Sequence, residues 1–260
     1  DVSFGPHAEV DIVGEHIRWY DRRLRGLDNG IDDEHPIHIF VMGENVWRGE
    51  SEWPLARTRY TDYYIHGSSR SNSIYGDGVL SKDPFGDSPP DHYDYDPTNP
   101  VPTMGGPMMH AQYGGAQDRR PIERRDDILV YTSEPLESDM EITGPVTMTL
   151  YASSTAPDTD FTATLVDVHP DGRAINICEG LRRARFRDSI EEPTLIEPGT
   201  VYQYQIDLWE TSNVFKMGHR LRVEVSSSNF PRFDRNLYYH ISFCAGLTGQ
   251  NITSLYFISG

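Results

Sequence analysis

The side chains that could do chemistry here are serines, together with the acidic residues and histidines that could activate a serine. None of the serines lies in a sequence motif that presents it as a nucleophile. A serine of the α/β-hydrolase type is presented on a sharp strand-to-helix turn of pattern G-x-S-x-G. That pattern does not occur in the sequence. The nearest approach, Gly67-Ser68-Ser69-Arg70-Ser71, lacks the second glycine. We therefore expect no catalytic residue among these 260 residues.

Two further polar groupings favour structural roles. Asp158 and Asp160 flank a single threonine just before a predicted strand, where aspartate side chains commonly bond the backbone of a turn. His35 and His38 form an H-x-x-H pair, but on an extended segment their rings point to opposite faces. From these residues we predict neither a metal site nor a cofactor site.

One amphipathic helix is predicted between Glu9 and Arg25. Its apolar residues recur at spacings of three and four and form one stripe. They are Val10, Val13, Ile17, Tyr20 and Leu24. Acids occupy the first turn, arginines occupy the last, and Gly26 follows as a stop, in agreement with the helix dipole. Such a helix needs a surface to lie on.

From Pro36 onward the apolar residues alternate with polar ones, as on half-buried strands. The predicted strands cover 37–42, 55–65, 128–131, 146–152, 161–168, 174–178, 181–187, 201–208 and 221–226. Asp171-Gly172 is a strong hairpin signal, and residues 66–127 are predicted to be a long ordered loop. Short strands without helices between them predict an all-β jelly-roll sandwich with two antiparallel sheets.

The charge balance excludes several classes of partner. A net charge of −17 disfavours nucleic acid and anionic membrane, since both require a basic surface. No run of about 18 apolar residues is present to span a membrane. Only Lys82 and Lys216 are lysines among 23 basic residues, which fits either adaptation to high salt or an arginine-rich codon usage.

The cysteines and the first residues bear on the cellular compartment. Cys178 lies in a predicted strand of alternating pattern and is expected to be buried as a small apolar residue. Cys244 is the other of the two cysteines in the sequence, and two cysteines do not make a disulfide framework. Residues 1–6 lack the basic and apolar regions of a signal peptide, and we expect them to lie inside a longer chain. A cytoplasmic protein is predicted.

Several short segments, taken in order across residues 3 to 236, resemble a known family. They are Trp19-Tyr20-Asp21-Arg22-Arg23-Leu24-Arg25-Gly26, Val41-Met42-Gly43-Glu44-Asn45-Val46-Trp47-Arg48, Trp53-Pro54, Tyr95-Asp96-Pro97, Pro100-Val101-Pro102-Thr103-Met104-Gly105-Gly106, Asp158-Thr159-Asp160-Phe161-Thr162-Ala163, Leu165-Val166-Asp167-Val168, Pro170-Asp171-Gly172-Arg173 and Ser226-Ser227-Ser228-Asn229-Phe230-Pro231-Arg232-Phe233-Asp234-Arg235-Asn236. Together they resemble the CocE/NonD hydrolases, a family of serine esterases, acylases and X-Pro dipeptidyl-peptidases.

The resemblance implies an α/β-hydrolase domain that carries the catalytic Ser, Asp and His, followed by a C-terminal jelly roll of galactose-binding-like type. Residues 1–33 would then be the terminal helix of the hydrolase domain, and residues 34–260 the jelly roll. In relatives the catalytic histidine precedes the segment that is here Ser3-Phe4-Gly5-Pro6, so His7 lies on the wrong side to be the base. The implied partner is the absent hydrolase domain, which would take a small acyl ester or peptide.

In such relatives the jelly roll lends apolar side chains to the substrate pocket. The matching place is the loop after Gly105-Gly106, and Met108, Met109 and His110 are the candidate pocket-lining residues. A methionine thioether suits this role because it adapts to varied acyl groups, although packing of both methionines within the domain explains them as well.

Two other functions are open on the sequence. A stand-alone module could bind carbohydrate or another ligand through Tyr63, Tyr64, Tyr93 and Tyr95 on a concave face. A homo-oligomer could form through residues 237–260, which contain no Asp, Glu, Lys or Arg and match no segment of the family. That stretch is either a buried terminal strand pair or foreign to the native fold.

Overall fold

The computed structural model describes residues 2–84, 89–108, 114–237, 241–245 and 252–258, the last two ranges as backbone only. One α-helix near the N-terminus precedes a run of strands that curl into a sandwich. The predicted all-β class with a single leading helix is confirmed.

Helix α1 spans Ile12–Arg25 and begins three residues later than the sequence pattern predicts. The reason is the cap: the Asp11 carboxylate accepts a hydrogen bond from the Gly14 N–H at 2.9 Å, which fixes the first turn there. Gly26, in the left-handed conformation with φ 67°, ends the helix as predicted.

The strands are β1 Ile37–Val41, β2 Val46–Glu50, β3 Thr58–His66, β4 Val79–Ser81, β5 Asp91–Tyr95, β6 Leu129–Thr132, β7 Met140–Ser154, β8 Asp160–Val168, β9 Ala174–Arg183, β10 Tyr202–Phe215, β11 Arg220–Ser226, β12 Ile241–Ala245 and β13 Ile252–Ile258. β1 and β2 form a separate hairpin. Within the described residues the other eleven form one curled sheet, in the order β5-β12-β7-β13-β3-β4-β6-β11-β8-β9, with β10 paired to β7. All its pairs are antiparallel except β4 with β6.

The core lies between the facing strands and is built by their alternation. On β7, Val146, Met148 and Leu150 are buried while the residues between them are partly exposed. Across the core, the ring of Phe161 on β8 and the ring of Tyr204 on β10 lie 4.5 Å apart between centroids. Full burial of an apolar side chain of this kind contributes about 1.5–3 kcal/mol, and these five are members of a much larger buried cluster.

The segment 66–127 is more regular than predicted, because β4 and β5 lie within it. Its polar side chains act as internal ties. The buried Asp91 carboxylate accepts hydrogen bonds from the Ser71 N–H at 2.9 Å, the Ser71 hydroxyl at 2.8 Å and the Tyr131 hydroxyl at 3.0 Å. These bonds fix the loop to the sheet without a regular ladder.

The two strands predicted at 174–178 and 181–187 are one strand, β9, followed by a short 3-10 turn at Ala184–Phe186. Gly180, which lies between the two predicted strands, is a point of close approach. A Cβ at that position would lie 1.8 Å from the Asp207 carbonyl oxygen of β10. Glycine therefore lets β10 pass over β9 with no interruption of the ladder.

Candidate functional site

An apolar groove with a volume of about 410 Å³ opens where β9, β10 and the N-terminal segment meet. It is lined by Phe4, Met42, Gly106, Pro107, Gly115, Ala116, Asn176, Ile177, Cys178, Glu179, Leu208, Trp209 and Glu210. We call this the apolar groove. Its volume and its few polar groups suit an apolar side chain or small ligand.

Trp209 is placed in the apolar groove by an irregularity in β10. The register with β7 shifts between Asp207 and Glu210, which makes a β-bulge. At the bulge Trp209 has φ 70°, its N–H donates to the Asp207 carboxylate at 2.8 Å, and 62% of the residue is exposed. A tryptophan at positive φ is strained, and such strain tends to persist where function requires it.

We expect glycine at position 209 to be tolerated far better than valine, because glycine adopts φ 70° without strain and valine does not. The unfolding free energy of the Trp209→Gly variant should be about 1–2 kcal/mol higher than that of the Trp209→Val variant, as measured by urea denaturation. Both variants lack the indole, so loss of its contacts cancels in the comparison. Equal stability of the two would show that the bulge carries no strain.

The loop predicted to line a substrate pocket is held at one wall of the apolar groove. Gly106 and Gly115 exchange two backbone hydrogen bonds of 2.9 Å, which close the base of the loop. Gly105 and Gly106 lie at φ 84° and 91°, and Cβ atoms there would lie 2.0 Å from the Asn176 Oδ1 and 2.2 Å from the Glu179 Oε1. Only glycines let this loop pack so closely on β9.

Of the three predicted pocket residues, Met108 is partly buried directly after Pro107, which lines the apolar groove. Met109 and His110 lie outside the described residues. Their role in a substrate pocket stays a prediction. The sequence analysis did not predict that Phe4, Met42 and Trp209 line a groove. Trp209 could have been noticed, because it is a large aromatic residue directly after the predicted strand 201–208.

Next to the apolar groove lies a set of buried charges, which we call the buried ion network. Its members are Arg119, Glu123, Glu179, Arg222, Glu224 and Arg232. All are buried except Arg232, which is partly exposed. The Arg119 guanidinium donates to the Glu224 Oε2 from Nε at 2.9 Å and from Nη2 at 2.7 Å. Arg119 also donates to the Met104 carbonyl oxygen at 2.9 Å, so the network anchors the pocket loop to β11.

One carboxyl of the buried ion network has a shifted pKa. Burial, and then repulsion by the neighbouring Glu224 carboxylate, raise the pKa of Glu123 to about 7. Its Oε1 accepts from Arg222 Nη1 at 2.7 Å, which offsets only part of that cost. The native chain therefore holds a proton on Glu123 at a pH where an exposed glutamic acid has lost it.

Because the folded pKa lies above the unfolded one, this group should weaken the fold as pH rises from about 4.5 through 7. The contribution lost is at most about 3 kcal/mol. Glu123→Gln, which mimics the protonated acid, should therefore show a smaller decline in unfolding free energy between pH 5 and 8 than the parent chain. Glu134→Gln, whose side chain is 94% exposed, is the matched control and should follow the parent curve. Superposable curves for all three chains would refute the shift.

The first residues are tied to the β1–β2 hairpin by aromatic contacts. The Phe4 and Phe40 rings lie 6.1 Å apart, edge to face, and Phe40 and Trp47 lie 5.3 Å apart. The Trp47 indole N–H donates to the His7 carbonyl oxygen at 2.8 Å. Trp47 thus closes a seam between the leading segment and the β1–β2 hairpin.

Helix α1 presents its apolar stripe to solvent. None of its residues is buried against the described part of the chain. The exposed members, which we call the α1 stripe, are Val13, Ile17, Tyr20 and Leu24, with exposures from 52% to 77%. A contiguous apolar face of this kind marks an interaction surface.

The two aspartates that flank Thr159 serve structural roles. Asp158 is fully buried and accepts from the Arg185 N–H and the Asn236 amide, both at 2.9 Å. Asp160 pairs with Arg183, whose Nε lies 2.7 Å from its Oδ1. Both carboxylates are thus engaged in the structural role that the sequence favours.

Three of the four tyrosines predicted to bind sugar are buried, while Tyr64 is partly exposed. Tyr63, Tyr93 and Tyr95 are buried in the core, the Tyr93 hydroxyl bonds Ser227 at 2.7 Å, and that of Tyr95 donates to the Asn236 carbonyl oxygen at 3.0 Å. Sugar stacking requires exposed ring faces, which these residues lack. The carbohydrate-binding alternative was wrong about these three side chains because alternation turns them inward.

Comparison with known proteins agrees with this description of a non-catalytic β-domain. The model of the X-Pro dipeptidyl-peptidase C-terminal non-catalytic domain matches residues 29–241. The chain belongs to this family. The predicted resemblance to CocE/NonD hydrolases is confirmed by the same findings.

Relatives of this X-Pro dipeptidyl-peptidase C-terminal domain include esterases and peptidases. Cocaine esterase of Rhodococcus sp. (strain MB1 Bresler) is 49% identical over 240 residues, which cover 91% of the chain and 42% of that protein. An aminopeptidase from the marine sediment archaeon Thaumarchaeota archaeon superposes with a TM-score of 0.81 at 25% identity, over 96% of the chain and 46% of its own. An α-amino-acid ester hydrolase shares the fold, with a TM-score of 0.78 at 24% identity over 92% of the chain and 43% of its own.

The chain therefore spans less than half the length of these relatives. As in its family, it is a C-terminal non-catalytic domain of the kind found in serine hydrolases. Among the described helices, none has the length and hydropathy needed to cross a bilayer.

Proposed function

We propose that this domain serves a serine hydrolase by docking onto its α/β-hydrolase domain, stabilising that domain and walling its substrate pocket. The observation that carries the proposal is the α1 stripe, whose four apolar side chains are each more than half exposed to solvent in the described chain. A hydrolase domain is the proposed occupant, since the match to the Rhodococcus esterase covers 42% of that protein and leaves the other 58% of its length outside the match.

The apolar groove supports the second half of the proposal. Phe4 lines the groove and belongs to the same leading segment as α1, so a partner seated on the α1 stripe lies near the groove. The groove then becomes a closed pocket with its apolar floor on Ile177 and Leu208. Such a pocket suits the acyl part of a small ester or peptide, and Met108, Met109 and His110 on the adjoining loop are the proposed contacts.

The proposed division of the chain follows from this arrangement. Residues 1–33 form the part that belongs with the hydrolase domain, and residues 34–260 form the β-domain. The exposed α1 supports the division, since a helix of the hydrolase domain would bury its stripe against that domain.

The proposal also includes assembly into homo-oligomers and a cytoplasmic location. The cytoplasmic location is supported by Cys178, which is a free thiol.

The test is hydrolysis of p-nitrophenyl acetate by the 260-residue chain alone and after addition of the α/β-hydrolase domain of its full-length protein. The chain alone should show only the uncatalysed rate, and addition should raise turnover above that of the hydrolase domain by itself. Hydrolysis by the chain alone that is abolished by replacing one of its own residues would overturn the proposal.

A further inference from the structure

A second cluster of chemically capable side chains lies at the β8–β9 hairpin, apart from the apolar groove lining. Asp167, His169 and His219 place one ligand atom each within 4.8 Å of one another. Asp167 is buried, while the side chains of His169 and His219 are 23% and 13% exposed. The cluster therefore has a buried carboxylate at its base and imidazoles that reach the surface.

The sheet itself brings the three residues together. In the antiparallel pairing of β8 with β11, Asp167 lies opposite Leu221 and Val168 opposite Arg220. One step further along the same register, His169 faces His219. Asp167 and His169 are two apart on an extended chain and so share a face. A D-x-H pair on one strand and a histidine across from it is thus a consequence of the fold.

The distances suit a small coordination sphere. His219 Nδ1 lies 2.8 Å from Asp167 Oδ1, and His169 Nε2 lies 3.9 Å from Asp167 Oδ2. Ligand atoms around tetrahedral zinc, with bonds of 2.0–2.1 Å, are about 3.3 Å apart. These two separations bracket this value, and all three ligand atoms lie within 4.8 Å of one another, so rotation of the three side chains is enough to bring them around one ion. The imidazole rings already lie close, with centroids 4.3 Å apart.

The donor set selects the kind of ion. Two imidazoles and one carboxylate suit zinc and neighbouring divalent transition metals, whereas calcium and magnesium require six or more oxygen ligands. The surrounding charges are mixed. Asp139 and Asp171 lie near the two histidines, while Arg173 Nη2 lies 3.4 Å from the His169 Nδ1. Arg173 is held by Asp171 at 2.7 Å, which neutralises much of its charge.

We propose that Asp167, His169 and His219 bind one divalent transition-metal ion of the zinc type, with the fourth position open to water. The ion would join the β8–β9 hairpin to the turn between β10 and β11. The site is independent of the apolar groove and of the proposed hydrolase partner.

The test is titration of the full 260-residue chain with Zn²⁺ alone, by isothermal calorimetry. We expect one saturable Zn²⁺ per chain and a rise in Tm that Mg²⁺ does not produce. His169→Gln should weaken Zn²⁺ binding by at least about tenfold. Its side chain is partly exposed on a hairpin, so the variant should fold, which circular dichroism checks.

The second histidine pair of the chain provides the matched control. His35→Gln/His38→Gln removes two exposed imidazoles and should leave Zn²⁺ binding unchanged. Co²⁺ is a second probe: the parent chain should give the intense d–d absorption of a tetrahedral site, and His169→Gln should lose it. Three results would each contradict the proposal: no saturable Zn²⁺ binding, equal Zn²⁺ affinity of the parent and His169→Gln, or a weak octahedral Co²⁺ spectrum. Any of them would show that Asp167 and His219 form a hydrogen bond only.

Discussion

Replacing Arg119 by alanine is expected to lower the unfolding free energy of the chain by about 3–5 kcal/mol. Only 6% of the Arg119 side chain is exposed, and its partner Glu224 is 2% exposed. Removal of the guanidinium leaves the Glu224 carboxylate buried without a counter-ion, whereas Glu179 keeps its pairing with Arg232. The cost of such an uncompensated charge exceeds that of most single substitutions.

The neighbouring arginine is the control. Arg120 is 44% exposed and pairs with Asp118, also partly exposed, so Arg120→Ala should cost at most about 1 kcal/mol. Urea denaturation of both variants in one buffer measures the contrast. Similar losses for the two arginines would mean that Arg119 stabilises the fold by ordinary surface pairing.

The second large effect is expected on docking. Ile17→Asp places a charge in the middle of the α1 stripe, where it would be desolvated by the proposed hydrolase domain. Association with that domain should weaken by at least about 30-fold, about 2 kcal/mol. The chain itself should lose little stability, since Ile17 is 56% exposed.

His16→Asp introduces the same side chain one residue away, off the α1 stripe and likewise exposed. It should leave the affinity within a few-fold of the parent value, measured by calorimetry with the separate hydrolase domain. An equal loss from His16→Asp would point to a general effect of charge or helix propensity. No loss from Ile17→Asp would remove the α1 stripe from the interface.

The helix and most strands could be predicted because their patterns are local. The stripe from Val13 to Leu24 repeats at three and four, and β8 and β11 were found to within one residue of Asp160 and Arg220. β2 was missed, since Val46–Glu50 is short and contains a glycine and two charges. Gly49 is needed there because a Cβ would lie 2.4 Å from the His35 ring.

The sites could be predicted only in part, because their residues meet through tertiary structure. The loop after Gly105-Gly106 was found from the resemblance, and the structure places its base at the apolar groove. The pairing of Arg119 with Glu224 joins residues 105 positions apart, and no local pattern signals it. The same holds for His219, which reaches Asp167 only through the register of β8 with β11.

The position of β13 has a consequence for how the protein is made. β13 pairs with β3 on one side and with β7 on the other, so the last described strand to emerge from the ribosome fills a gap between two that were synthesised earlier. Until then both neighbours display open edges that could pair with other nascent chains. The sheet between β3 and β7 can therefore close only after β13 has been synthesised, and the two open edges are the places where a partly made chain is most exposed to wrong pairing.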